Sequence, residues 1–196
     1  MKDEVKALLI ALLAWLCFAL AVGVTGYFQN VSAYGMAATV WILTAVTLLA
    51  CWKISLLREG VYALDLRWLV ALHLTRFVGI YLLILGNREL LPLGFARPAG
   101  VGDIVIAAAA GIILLLPRRR ILRFIVLIWN TLGLIDIVFV AFSALRFGLR
   151  DWQSMAALRA LPLSLLPTFL VPLIIASHVL IFVRLRPAHA RRREQK

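Results

Sequence analysis

A chain of 196 residues that is 64% hydrophobic and only 15% charged falls well short of the charge of soluble domains, where about a quarter of residues are charged. No water-soluble fold of this length has interior enough for so much apolar surface. The net charge of +12 does not point to nucleic acid, because most Lys and Arg residues border apolar runs, where the positive-inside rule accounts for them.

The expected fold class is all-α: a polytopic transmembrane helical bundle of about six spans, forming one domain over residues 1–196. The first span, about 6–28, reads as a retained helix rather than a signal peptide. Asp3 and Glu4 spoil a basic leader, and the apolar stretch from Ala7 to Val24 outruns the core of one. The second span covers about 35–57. Cys17 and Cys51 lie at unmatched depths in these spans and read as small core residues, not a disulfide. The third span, about 66–86, carries His73 and Arg76. Between Asn87 and Asp103 stand two prolines and three glycines, the mark of an outer connector or a shallow re-entrant segment.

The fourth span covers about 100–117 and the fifth about 121–146, and the Pro-Arg-Arg-Arg turn at 117–120 makes them antiparallel neighbours. The segment from Arg146 to Ala160 is mildly amphipathic and is expected to lie flat on the membrane surface. The sixth span covers about 161–184, and the basic tail 187–196 is expected to meet anionic lipid at the cytoplasmic face. An even number of spans returns the chain to its starting side. Fifteen basic residues fall on that side against Arg88, Arg97, Arg146, Arg150 and Arg159 on the other, which assigns both N and C termini to the cytoplasm. Trp68 and Trp152 fit interfacial anchors. An inverted repeat is not supported, since it would mirror the depths of His73 and His178, and both fall in the cytoplasmic half.

Ionisable groups inside a bilayer are functional candidates by default. Here they are His73, Arg76, Asp103, Asp136 and His178, with Asn130 as a neutral companion. His73 and Arg76, three residues apart, share one helical face, and Arg76 is too deep to reach the headgroups, so it needs an acceptor. Asp136 is the expected partner; Asn130, Gly133 and Asp136 form an i, i+3 ridge whose glycine admits a close helix approach. Such a pair either binds a ligand or fixes helix register.

Pro172 removes a backbone hydrogen bond, frees the carbonyl of Thr168 and is expected to kink span six and open a polar pocket. His73 and His178 lie at roughly 9–10 Å from the same membrane side by helical rise. They could therefore ligate a b-type haem, with hydrogen bonding as the plainer role. Asp103, after Pro98-Ala99-Gly100-Val101-Gly102, reads as the cap of span four, or else as a carboxylate binding a cation or proton at the outer mouth. The chain has no phosphate-cradling glycine loop, HExxH, CxxC or GxSxG, and no paired acidic cluster for Mg²⁺. Enzymatic function is not indicated.

The ordered segments RFVGIYLL, LPLGFARPAGVGDI, WNTLGLIDIVFVAF and LPTFLVPLIIASHVLIF resemble uncharacterised small bacterial multi-pass membrane proteins, over about residues 73–183. The resemblance implies a bacterial inner membrane and brings no activity with it. The residues themselves favour a small-ligand- or proton-binding transporter-like or sensory subunit. In that reading Arg76 supplies positive charge for an anionic group, Asp136 is its counter-ion and the histidines titrate near neutrality. A haem-binding redox protein and a structural or assembly subunit are the alternatives.

Overall fold

A computed structural model describes residues 3–117 and 120–186, all-α with no strand among the described residues. The basic tail and positions 118 and 119 of the Pro-Arg-Arg-Arg turn lie outside them. Six helical stretches are long and apolar enough to cross a membrane: Asp3–Val24, Ala33–Lys53, Leu66–Asn87, Leu93–Leu115, Ile121–Arg150 and Leu166–Leu185. Their outward faces are greasy, with Ile10, Phe18, Trp68 and Leu115 among many exposed apolar side chains, a surface that water does not tolerate at this extent.

Helix α1 (Asp3–Val24) opens on two acidic residues, which suit the positive end of the helix dipole. It stops short of the expected residue 28 because Gly26 takes a left-handed φ of 69°. Helix α2 (Ala33–Lys53) is capped by Ser32, whose Oγ accepts from the Gly35 N–H at 3.1 Å. A separate short amphipathic helix, α3 (Ser55–Ala63), follows where span two was expected to continue, and it packs on α1.

Span three is broken into α4 (Leu66–Leu72), a 3-10 stretch (His73–Val78) and α5 (Gly79–Asn87). Its C-terminal end is a Schellman closure, with the Leu90 N–H on the Leu85 carbonyl at 2.9 Å and the Glu89 N–H on the Gly86 carbonyl at 3.1 Å. Glu89 therefore holds a left-handed φ of 59° that glycine ordinarily occupies. Glu89→Gly is expected to raise stability by about 1 kcal/mol, measured as a higher unfolding temperature in micelles.

Helix α6 (Leu93–Leu115) starts directly after Pro92 and carries Pro98 within its opening turns. Most of the expected outer connector is thus helix, and Asp103 stands near the middle of α6 instead of capping it. Helix α7 (Arg120–Arg150) outlasts its expected end at 146. The segment after it packs against the chain's own backbone. Buried Arg159 folds it back, donating to the carbonyls of Gln29 (2.9 Å) and Trp152 (3.2 Å), while the Trp152 indole donates to the Val31 carbonyl at 2.9 Å. Span six begins later than expected, at a wide π turn (Leu166–Leu170) that runs into α8 (Val171–Leu185). The Thr168 carbonyl freed by Pro172 accepts the Trp15 indole N–H at 3.0 Å, which fastens α1 to span six. Both cysteines are free; Cys51 is buried, but Cys17 sits on the exposed face of α1 and is not a core residue.

Candidate functional site

Helices α6 and α7 pack side by side and α6 also lies along span three, so three chain segments converge at mid-length. The approach between span three and α6 is backbone to backbone. A Cβ added to Gly79 would stand 2.5 Å from the Gly100 carbonyl oxygen, and one on Gly100 would stand 2.7 Å from the Gly79 carbonyl oxygen. Contact this close lets short side chains meet. Arg76 and Asp103, each three residues from its glycine, face one another there.

Arg76 is fully buried, and its guanidinium is shared among three acceptors. Nε donates to Asp103 Oδ1 at 2.7 Å, Nη1 to the Gly133 carbonyl at 3.1 Å, and Nη2 to Asp136 Oδ2. The expected Arg76–Asp136 pair is present, and the sequence reading missed that Asp103 completes it. All three side chains belong near the midpoints of their spans. One guanidinium against two carboxylates leaves a formal excess of one negative charge. Gly102 gives the Asp136 carboxylate its seat, since any Cβ there would collide with it.

The 3-10 winding of span three stacks His73 directly over Arg76, because positions i and i+3 eclipse in that geometry. Both histidines are completely buried, with ring centroids 4.2 Å apart and planes tilted by 45°. One tautomer of each ring satisfies their hydrogen bonds. Ser177 Oγ donates to the Ile174 carbonyl at 2.8 Å, so it can only accept from His73 Nε2 at 3.0 Å. The Asn130 amide donates its Nδ2 proton to the His178 carbonyl at 3.0 Å, which leaves Oδ1 to accept from His178 Nδ1 at 2.8 Å. Each ring therefore keeps one bare nitrogen, His73 Nδ1 and His178 Nε2, buried and without a hydrogen-bond partner among the described residues. Trp129 packs at right angles to His73, with ring centroids 4.9 Å apart, and donates its indole N–H to the Ile106 carbonyl at 3.1 Å.

The six expected site residues, His73, Arg76, Asp103, Asn130, Asp136 and His178, thus fall in one cluster. Ser177 and Trp129 join it, and the adjacent Ser177-His178 pair on the kinked helix was the available signal for the former. A model described as Domain of unknown function (DUF8737) matches residues 31–186. The chain belongs to this family. The DUF8737 region takes in spans two to six with every residue of the cluster, and so reaches further towards the N-terminus than the resemblance over residues 73–183. No curated protein and no solved structure matches the chain.

Two chemical readings lose their footing in this geometry. A haem held axially by His73 and His178 needs a porphyrin plane between the rings and a metal–nitrogen bond of about 2 Å on each side, and imidazoles with centroids 4.2 Å apart leave no place for it. An anionic ligand meets an arginine already committed to two carboxylates. Two cavities that flank α8 are walled mainly by apolar side chains.

Proposed function

We propose that this DUF8737 protein is a non-enzymatic, multi-pass protein of the bacterial inner membrane with both termini in the cytoplasm, and that its buried cluster binds a single proton as part of a transporter-like or sensory subunit. The observation that carries this is charge balance. Two carboxylates and one guanidinium at mid-span leave one negative charge in excess, and a low-dielectric setting strongly disfavours an uncompensated charge. A proton shared between Asp103 and Asp136 cancels it. The bare nitrogens of His73 and His178 lie alongside.

A second reading is supported by the saturation of Arg76: α6 and α7 supply three acceptors to one guanidinium on span three, as in a lock that fixes helix register. Infrared difference spectroscopy on the purified protein in lipid separates the two. A proton site predicts the carbonyl stretch of a neutral carboxylic acid that disappears on alkalinisation and is missing from Asp103→Asn or Asp136→Asn. An unchanging carboxylate spectrum across the pH range in which the bundle stays folded leaves only the lock.

A further inference from the structure

Two cavities adjoin on the side of the bundle that holds most of the basic residues. The larger, 530 Å³, lies between α1, α2, α3, α4 and α8 and is walled by side chains such as Leu8, Leu12, Leu72 and Leu173. The smaller, 310 Å³, lies between α2, α3 and α8, with Leu48, Leu49, Val179 and Val183 in its wall. Cys51, Val61 and Leu180 belong to both walls, so the cavities are neighbours separated by one layer of side chains. Apolar walls offer water no partners, and hydrocarbon is the filling that suits them.

The rim of the smaller cavity has a different chemistry. Arg58 and the exposed Trp52 line it, and the Lys53 ammonium lies 4.4 Å over the Trp52 ring. Arg58 uses one Nη1 proton on the Trp52 carbonyl at 3.1 Å and is otherwise exposed. A guanidinium and an ammonium beside a tryptophan, at the end of a span, make a setting for a phosphate at headgroup level.

We propose that these paired cavities form a binding site for one anionic diacyl phospholipid of the leaflet on that side. Its phosphate sits against Arg58 and Lys53, one chain fills the smaller cavity, and the other crosses Val61 into the larger. Charge complementarity selects an anionic over a zwitterionic headgroup, and the two chambers match two chains. The inference rests on the membrane reading above and not on protonation of the polar cluster, whose Ser177 lies in the wall of the larger cavity.

The test is native mass spectrometry of the full chain released from micelles, delipidated and then offered phosphatidylglycerol or phosphatidylcholine. Wild type is expected to retain one phosphatidylglycerol, and Arg58→Gln to bind it about fivefold more weakly, as loss of one interfacial charge contact predicts, with phosphatidylcholine unaffected. Leu9→Trp, which fills the larger cavity from the partly exposed face of α1, is expected to abolish retention without changing the helical circular dichroism. Should Leu9→Trp not fold, Arg58→Gln still decides, because its side chain is exposed. Equal binding of both lipids by wild type and Arg58→Gln overturns the proposal, as does a bare protein or a lipid-free dimer. A chain recovered in the aqueous fraction after alkaline washing of membranes sinks the membrane reading too, whereas a membrane-integrated chain without bound phosphatidylglycerol sinks the lipid site alone.

Discussion

Arg76→Leu is expected to destabilise the protein by about 3–5 kcal/mol, because removing one partner of a buried ion pair strands the other. Here it strands two carboxylates, the buried Asp103 and the partly buried Asp136, which share the one guanidinium. Chemical unfolding in micelles, followed by circular dichroism, measures the loss. Arg76→Lys is expected to recover only part of it, since an ammonium lacks the planar fork that serves three acceptors at once. The informative comparison is the triple variant Arg76→Leu, Asp103→Leu, Asp136→Leu. With no charge left to compensate, its stability is expected to return to that of wild type or exceed it. A triple variant as unstable as Arg76→Leu alone would mean that the three helices need the charged cluster for their packing.

How far this arrangement can be read from the sequence depends on which physical signal each residue carries. Arg76 announces itself, because a cation that deep needs a counter-charge, and Asp136 on a glycine-bearing ridge is the obvious acceptor. Asp103 was hidden by its surroundings: PAGVGD resembles the start of a helix, yet α6 runs through Pro98 from Leu93. A proline early in a helix sacrifices a single backbone bond, and the glycines after it serve helix contact instead of turn formation. Gly100 meets Gly79 backbone to backbone, which no local pattern predicts, because the pairing of the two glycines is a tertiary fact. The 3-10 winding at His73–Val78 is likewise invisible in hydropathy, and it decides that His73 stacks over Arg76. By contrast, the freed Thr168 carbonyl follows from Pro172 alone; only its partner, Trp15, required the fold.

The same glycines give the second large expectation, a pair of Gly→Ala changes with opposite signs. At Gly79 the added methyl meets the Gly100 carbonyl oxygen at 2.5 Å and the Asp103 Cβ at 2.8 Å, and the oxygen, being backbone, cannot rotate away. Span three and α6 must then separate, which stretches the 2.7 Å bond from Arg76 to Asp103 as well as loosening the helix contact. Overpacking of this kind costs about 1–3 kcal/mol, and the weakened ion pair puts Gly79→Ala at the upper end. Gly111, further along the same α6, is the control. A methyl there finds only Leu74 Cδ2, at an ordinary 3.8 Å, so Gly111→Ala is expected to gain about 0.5–1 kcal/mol from the better helix propensity of alanine. Unfolding midpoints of the two variants, taken in one lipid or detergent, check both signs together. If Gly79→Ala proves as stable as Gly111→Ala, span three and α6 have slack between them, and the meeting of Arg76 with Asp103 is not enforced by the backbone contact that brings their helices together.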